Sequence, residues 1–349
     1  MGTNFTNIHQ TLLLLLRKAL DNSYQMELSK GADWASVLDL AYSQGVLGVC
    51  LEAIELLPVG TIPQQILLQW IGLSELQKKQ YEQAWKVACK LNKLWAAEDI
   101  RATVLKGRSI AKYYPVPSHR YSCDLDVFIG SEWGRACELL EEKGVQLGYE
   151  VYKEVEFTLD NVYVECHKYI TPIRGNKQLQ ELEHYLRALL DSESTEFFEG
   201  TTLVCPPLMF TVMLYIEHAL GDFLHGHLTL KHIVDWVVLR RQSVDWDAFK
   251  AKCKEFKFDK FLPLINALAD VVEGKMEYQD LQPSYKEVFD EIFQKKVPSE
   301  QGSWFQRRVR LFFSILRNGK KYKQFGYTSM PSFLFNSVWT HFFDKEVRL

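Results

Sequence analysis

The chain has 349 residues, a length that accommodates two or three domains of ordinary size. Lysine and arginine together number 41 and aspartate and glutamate 44, so the net charge is −3, which excludes a strongly basic protein that coats nucleic acid. Hydrophobic residues make up 47% and aromatic residues 13%, which excludes a disordered chain and predicts a large core.

The cysteines and the N-terminus together predict a cytoplasmic protein that does not enter a membrane. The seven cysteines are an odd number and form no Cys-x-x-Cys spacing, so we expect buried thiols and neither disulfides nor a zinc ribbon. The apolar run from Leu12 to Leu16 is much shorter than the about 20 residues of a membrane span. Arg17 and Lys18 follow the run, whereas a signal peptide has its basic residues first.

The first hundred residues have the apolar periodicity of helices. Apolar residues recur every three or four positions in residues 9–22, 33–57 and 64–97. The stretch from Pro58 to Pro63 separates the second predicted helix from the third. We interpret this region as a helical scaffold or a partner surface.

A different pattern begins near residue 100. In chain order the predicted elements are a strand at 103–105, a helix from about 109, a strand at 125–129, a helix at 133–143, a hairpin at 157–164, a helix at 178–190 and a strand at 201–204. Asp160 and Asn161 form the predicted hairpin turn. The predicted fold class is α+β, with a small α/β core that contains a mixed sheet. The predicted domains are a helical region at 1–99, this core at 100–205 and a helical domain at 206–349.

Basic and aromatic residues alternate in the C-terminal tail from Gln306. The basic residues are Arg307, Arg308, Arg310, Arg317, Lys320, Lys321 and Lys323, and the aromatic ones are Phe312, Phe313, Tyr322, Phe325 and Tyr327. Such a mixture can bind nucleic acid. The alternative is a solvated helix face whose aromatic residues belong to the core.

Two pairs of residues indicate a metal site. Asp124 and Asp126 are two positions apart in a predicted strand, so their side chains lie on one face and repel each other. A divalent cation removes that repulsion, and hard oxygen ligands suit Mg²⁺ or Mn²⁺. Glu165 and His167 have the same spacing in the second hairpin strand. If that strand lies beside 125–129, Glu165 completes a site of three carboxylates that can hold two metal ions.

The end of the first predicted strand has features of a phosphate-binding turn. Gly107 follows Lys106 and allows the backbone to turn tightly and approach a phosphate. The helix that follows would direct its amide groups at the same anion, and Ser109 would add a hydroxyl. The alternative is a plain turn between a strand and a helix.

Together these residues resemble the polymerase-beta type of nucleotidyltransferase and, more narrowly, a bacterial family of uncharacterised nucleotidyltransferases. The resemblance covers most of the chain and is carried by Leu105-Lys106-Gly107, Tyr114-Pro115, Arg120, Asp124-Leu125-Asp126, Glu165 with His167, His218, Leu230-Lys231 and Asp235-Trp236. It implies a nucleotidyltransferase-like core, metal binding by Asp124, Asp126 and Glu165, and nucleotide contact around Gly107 with Arg120 nearby.

This sequence departs from the pattern at three places. Arg108 follows Gly107, where the superfamily usually has glycine or serine, and the loop from Gly107 to Asp124 is longer than in most members. Lys231 stands where the family usually has arginine, so it keeps the charge and loses the bidentate fork. Lys231 is interpreted either as a phosphate contact or as the ion-pair partner of Asp235, one helical turn away.

Four histidines lie close together in the C-terminal region: His218, His225, His227 and His232. No cysteine or carboxylate was found to complete this set at a helical spacing, so a metal site is not predicted here. His225 and His227 are expected in a solvent-facing turn. His218 is left with three possible environments: solvent, a packing surface or the cleft. For His167 the alternatives are to orient Glu165, to contact substrate or to lie at the core edge.

The preferred hypothesis is an enzyme that transfers a nucleoside monophosphate from a nucleoside triphosphate to an acceptor oxygen and releases pyrophosphate. Lys106, Arg120 and Lys231 would neutralise phosphate charge, and Glu165 would also take the acceptor's proton. A small molecule or a protein is favoured as acceptor over nucleic acid. The alternative is a catalytically silent nucleotide-binding or interaction module on the same fold. A third hypothesis, based on the basic tail, is an enzyme that modifies nucleic-acid ends.

Overall fold

The computed structural model describes residues 5–29, 31–122, 124–173, 176–192, 196–294 and 318–326. In these residues the α-helices are α1 (Asn7–Leu20), α2 (Trp34–Ser43), α3 (Leu47–Ile54), α4 (Gln64–Ala96), α5 (Arg108–Ala111), α6 (Trp133–Glu142), α7 (Lys177–Leu190), α8 (Leu208–His225), α9 (Leu230–Arg240), α10 (Trp246–Glu255), α11 (Leu262–Glu273), α12 (Pro283–Gln294) and α13 (Gly319–Phe325). The strands are β1 (Thr103–Val104), β2 (Asp124–Phe128), β3 (Leu147–Glu150), β4 (Glu154–Leu159), β5 (Val162–His167), β6 (Glu196–Phe197) and β7 (Val204–Cys205).

The prediction of one helix over residues 33–57 is wrong, because the chain breaks between α2 and α3 at Gly45. Gly45 has a φ of +66°, and a Cβ there would lie 3.3 Å from Lys231 Cβ. The preceding residue, Gln44, accepts hydrogen bonds from the backbone N–H groups of Leu230 and Lys231. The break therefore satisfies the first amides of α9, which a continuous helix could not do.

The seven strands form one mixed sheet in the order β3-β4-β5-β2-β1-β7-β6. Strand β2 is parallel to β5 and β1 is parallel to β7, while the other neighbours are antiparallel. The predicted hairpin is confirmed as β4 and β5, and its turn residues Asp160 and Asn161 have φ values of +49° and +63°. Both central residues of the turn thus adopt the positive φ that a tight two-residue hairpin demands.

Several short elements differ from the prediction. Strands β3 and β6 lie at the two edges of the sheet and were not predicted. In β3 the Cβ position of Gly148 is 2.9 Å from the carbonyl oxygen of Glu156, so glycine is needed for close pairing, and the strand lacks clear alternation. The strand predicted at 201–204 is Val204–Cys205. Helix α5 has four residues, too few for the directed helix N-terminus that was expected after Gly107.

Two hydrophobic clusters form the core. The larger one contains the buried leucines of α1 together with residues of α8, α9 and α11. The smaller one lies between the sheet, α6 and the C-terminal half of α4. Arg17 of α1 also donates hydrogen bonds to the carbonyl oxygen of Val271 in α11. The first and last helical regions are therefore buried against each other, while the predicted division into three domains stays a prediction.

Only part of the basic aromatic tail falls within the described residues, namely 318–326. There Tyr322 and Phe325 are buried in the larger cluster, and Lys321 pairs with Glu291 of α12. This part fits the core interpretation, and the other tail residues named above lie outside the described residues. Among the helices of the described ranges, none combines the length and the apolar character needed to cross a membrane.

Candidate active site

The two acidic strands of the sheet, β2 and β5, lie side by side and run parallel. Asp126 is paired in register with Glu165, and Asp124 with Tyr163. Residues that pair in register project to the same face of a sheet, and so do residues two positions apart along a strand. The structure therefore brings Asp124, Asp126 and Glu165 together on one face.

His167 stands among the carboxylates of this face. Its Nε2 atom lies 3.2 Å from Asp126 Oδ1 and 3.5 Å from Glu165 Oε2, and its Nδ1 atom lies 2.8 Å from Glu154 Oε2. Burial and the charge of Lys153 would lower the pKa of His167, but the three carboxylates raise it to about 9. His167 is therefore cationic at neutral pH and holds Asp126 and Glu165 close together.

Lys106 supplies a second internal cation. Its Nζ atom lies 2.9 Å from Asp126 Oδ1. Burial opposes the charge, yet Asp126, Asp124 and Glu165 raise the pKa of Lys106 above its usual range. Burial alone would also raise the pKa of Asp126, but Lys106 and His167 hold it well below its usual range. Lys106, predicted to bind phosphate, is thus at the site and paired with a carboxylate.

Asp124 is less well neutralised than Asp126. In the described part of the chain its carboxylate takes part in no ion pair, and burial together with the negative charge of Asp126 raises its pKa. Burial and the neighbouring carboxylates Asp126 and Glu154 likewise raise the pKa of Glu165, although His167 opposes them. Both groups carry an electrostatic cost that a further cation would relieve.

The donor set of the site fits a hard divalent cation. Three carboxylates, Asp124, Asp126 and Glu165, share this face, and the cations Lys106 and His167 both contact Asp126 rather than Asp124. One carboxylate oxygen of Asp126 and one of Glu165 lie within 4.8 Å of each other, close enough for both to bind one ion. Carboxylate oxygens are the ligands that Mg²⁺ and Mn²⁺ prefer. A bound ion would compensate the repulsion that raises the pKa of Asp124.

The turn after β1 requires glycine. Gly107 has φ +60° and ψ −106°, and a Cβ there would lie 3.3 Å from Ser122 Oγ. This backbone conformation is one that residues with a Cβ rarely adopt. The carbonyl oxygen of Gly107 accepts a hydrogen bond of 3.3 Å from Arg120 Nη1. The turn predicted from the sequence is therefore present next to Lys106, and Arg120 fixes it.

Arg120 is committed to a buried ion pair. Its Nε and Nη2 atoms donate to the two carboxylate oxygens of Asp235 at 2.7 and 2.9 Å, and Tyr114 Oη donates to the same carboxylate at 2.6 Å. Arg120 and Asp235 are 4% and 2% exposed. Arg120, predicted to neutralise phosphate, thus joins the Gly107 turn to α9, and a direct phosphate contact would require it to give up these bonds.

Ser109 and Lys231, the other predicted phosphate contacts, lie in contrasting environments. Ser109 is fully buried and its Oγ donates to the carbonyl oxygen of Val104, so the hydroxyl faces the end of β1. Lys231 makes no ion pair with Asp235, whose carboxylate is taken by Arg120. The positive charge of Lys231 instead lowers the pKa of Asp124, which places the ammonium group near the carboxylates.

Helix α4 supplies an aromatic wall beside the Gly107 turn. A small pocket of about 30 Å³ lies between Tyr81 and Trp85 of this helix and the residues Lys106, Gly107 and Asp124. The side chain of Arg108 also lines it, with its guanidinium carbon 4.1 Å from the ring centre of Trp85 and 4.8 Å from that of Tyr81. The residue that departs from the superfamily pattern is thus stacked on aromatic rings. The first helical region contributes to the site, although it was interpreted as scaffold.

Two carboxylates of the cleft were missed from the sequence. Glu154 lies opposite His167 in the hairpin, and a two-residue turn at Asp160 and Asn161 sets this register, so the signal was available. Asp222 lies one helical turn after His218 on α8, and its Oδ2 atom is 3.3 Å from His218 Nε2. The four-residue spacing of His218 and Asp222 was a signal in the sequence that places both side chains on one face of a helix.

The chain belongs to a known family of proteins. Residues 30–272, well over half of the chain, match the family model described as an uncharacterised nucleotidyltransferase. The match spans the sheet, α4, α8 and α9, and so covers every site residue described above. No curated protein and no solved structure shows a significant match. The family assignment supports nucleotidyl transfer as the general function and a nucleotide as a substrate. The bacterial origin and the polymerase-beta relationship stay predictions.

Proposed function

We propose that the protein is a metal-dependent nucleotidyltransferase that moves a nucleoside monophosphate from a nucleoside triphosphate to an acceptor oxygen. One observation carries the proposal: Asp126 and Glu165 are in register on parallel strands with Asp124 on the same face. Three carboxylates so placed suit metal ions and phosphate chemistry better than a purely structural role, since like charges in contact cost stability.

Some side chains of the site would bind the metal and others would bind the phosphates. Asp124, Asp126 and Glu165 would hold Mg²⁺ or Mn²⁺, which supplies positive charge for the phosphates and lowers the pKa of an acceptor hydroxyl. Lys106 and Lys231 would neutralise phosphate oxygens, and Gly107 would let the backbone approach them. The acceptor hydroxyl would give its proton to Glu165 and bond to the α-phosphorus as the bond to the leaving pyrophosphate breaks. Catalysis would then rest on positioning and electrostatics.

The test is the Asp126→Asn variant, which keeps the shape of the side chain and removes its charge. Pyrophosphate release and Mg²⁺-dependent binding would be measured with each of the four ribonucleoside triphosphates, and products sought by mass spectrometry. We expect both activities to fall at least a hundredfold, while the surface control Asp247→Asn, whose side chain is 96% exposed, stays at the wild-type level. If Asp126→Asn matches the wild type, the proposal fails.

A second candidate is a nucleotide-binding module without turnover. The observation that favours it is the double pairing of Asp126, whose Oδ1 atom is contacted by both Lys106 and His167. If these cations replace the metal permanently, nucleotides would bind and no product would form. A thermal shift with nucleotides, without nucleotidylated product under Mg²⁺ or Mn²⁺, would favour the module over the enzyme.

A further inference from the structure

A second cluster of potential metal ligands lies on α8 and α9. His218 and Asp222 are four residues apart on α8, and His232 comes from the first turn of α9. His218 Nε2 lies 3.3 Å from Asp222 Oδ2, and His232 Nε2 lies 2.9 Å from the same oxygen. Two imidazole nitrogens from different helices thus converge on one carboxylate oxygen.

The spacing of these atoms matches the ligands of a tetrahedral metal ion. One ligand atom from each of His218, Asp222 and His232 lies within 4.8 Å of the other two. With bonds of about 2.0–2.1 Å, the ligands of a tetrahedral zinc ion are separated by roughly 3.3 Å. The three side chains would therefore need only small shifts to surround an ion, since two of the separations are already 2.9 and 3.3 Å.

A neighbouring contact determines how the His232 imidazole could bind an ion. His232 Nδ1 accepts a hydrogen bond of 3.1 Å from the backbone N–H of Thr229, so Nε2 carries the ring proton towards Asp222. Binding of an ion at Nε2 would require this proton to move to Nδ1, where Thr229 Oγ1, 2.9 Å away, can accept it.

We propose that His218, Asp222 and His232 form a binding site for a first-row transition metal, with Zn²⁺ as the preferred ion. Two imidazoles and one carboxylate are a ligand set typical of zinc and of other borderline metals, whereas Mg²⁺ takes oxygen ligands. The site is separate from Asp124, Asp126 and Glu165 and would be occupied whether or not the protein transfers nucleotides.

The location leaves room for a fourth ligand. The side chain of His218 is 41% exposed, and those of Asp222 and His232 are 21% and 13% exposed, so the site opens to solvent. His232 directly follows Lys231, one of the predicted phosphate contacts, in the first turn of α9. A metal with three protein ligands keeps a position for water or for an oxygen of a molecule in the cleft.

The experiment is a titration of the full chain with Co²⁺, a coloured substitute for Zn²⁺, followed by competition with Zn²⁺, in the absence of nucleotide. We expect one equivalent of Co²⁺ to give the intense visible absorption of a four-coordinate site and Zn²⁺ to displace it. His218→Ala and Asp222→Asn should each weaken binding at least tenfold. The exposed surface control His184→Ala should bind as the wild type does.

Two outcomes would overturn the site. The first is that the wild type binds Co²⁺ and Zn²⁺ no more tightly than Asp222→Asn does. The cluster would then be only a hydrogen-bonded His–Asp–His contact. The other is binding that is lost in Asp126→Asn and kept in His218→Ala. Circular dichroism of each variant checks the fold, and His218→Ala removes a partly exposed side chain, so it decides the matter if Asp222→Asn is unstable. Neither outcome bears on the proposed transferase, which is tested by pyrophosphate release.

Discussion

Asp126 is more heavily neutralised than Asp124, and its neighbours explain why. Lys106 and His167 both contact Oδ1, at 2.9 and 3.2 Å, and the group is 3% exposed. A buried carboxylate without such partners would cost several kcal/mol, on the order of what pairing returns. Asp124, with no comparable partner in the described residues, keeps a raised pKa. The pKa values of Asp124 and Asp126 are therefore shifted in opposite directions, because only Asp126 is in contact with two cations.

Glu217 on α8 gives a prediction about pH. It is 7% exposed, and burial raises its pKa from 4.5 to about 7. Between these pH values the folded state keeps a proton that the unfolded chain has lost, so stability falls as the pH rises and levels off above about pH 7. The loss is on the order of 3 kcal/mol. We expect Glu217→Gln to remove this decline.

The measurement for Glu217 is the free energy of unfolding in urea at pH 5 and at pH 8, for the wild type and the variant. The variant should gain stability relative to the wild type on going to pH 8. Glu55→Gln, at an exposed position, is the matched control and should follow the wild type at both values. Equal pH dependence of Glu217→Gln and the wild type would contradict the prediction.

The turn between β1 and α5 yields a prediction about an element. Alanine at Gly107 would be forced into φ +60°, ψ −106°, next to Ser122 Oγ. We expect Gly107→Ala to lower the free energy of unfolding by about 1–3 kcal/mol and to weaken nucleotide binding, because the carbonyl bonded by Arg120 must move. Thermal unfolding and a nucleotide titration measure the two effects.

The matched control for Gly107 is Gly134, near the start of α6. No atom lies within 4 Å of a Cβ built there, and its φ is not in the positive range. Gly134→Ala should leave stability unchanged or raise it by up to about 1 kcal/mol, since alanine favours a helix. Equal losses in the two variants would show that the special backbone of Gly107 is not the cause.

Local elements could be predicted where the sequence itself contains the rule. The hairpin followed from two β-branched runs around Asp160-Asn161, and α4 followed from its periodicity. The break at Gly45 could not be predicted, because its cause is the contact of Gln44 with the start of α9, nearly two hundred residues away. The one-turn length of α5 could not be predicted for a similar reason, because tertiary packing determines how long such short helices are.

The sequence identified the acidic residues of the candidate site, but it predicted their convergence only on the condition that the two strands pair. The spacing of Asp124 and Asp126 indicates a shared face, but their meeting with Glu165 depends on β2 pairing with β5 in one particular register. Nothing local specifies that register across the intervening helix and hairpin. The pairing of Arg120 with Asp235 was likewise out of reach, because it joins residues 115 positions apart.

The shared core of the first and last helical regions predicts that these two regions unfold cooperatively. Leu15 of α1 is fully buried in the cluster that includes α8, α9 and α11. Leu15→Ala should cost about 2–5 kcal/mol, the usual range for a large-to-small change in a core. Because the regions share one core, the urea midpoint measured by circular dichroism and the midpoint measured by tryptophan fluorescence should fall by the same amount.

The control for Leu15 is Leu68 on α4, which is 61% exposed. Leu68→Ala should change the free energy of unfolding by no more than about 0.5 kcal/mol. If Leu15→Ala instead separates the two signals into distinct transitions, the N-terminal helices unfold by themselves and the shared core does not make the two regions one cooperative unit.

Helix α4 runs through both hydrophobic clusters and past the pocket between them, and it carries a tryptophan at each place. Trp70 and Trp95 are fully shielded in the larger and the smaller cluster, while Trp85 lines the pocket under Arg108. A small collisional quencher such as acrylamide would therefore reach Trp85 before the other two. The chain has nine tryptophans, so the difference in quenching between the wild type and Trp85→Phe isolates the signal that reports whether the pocket is filled.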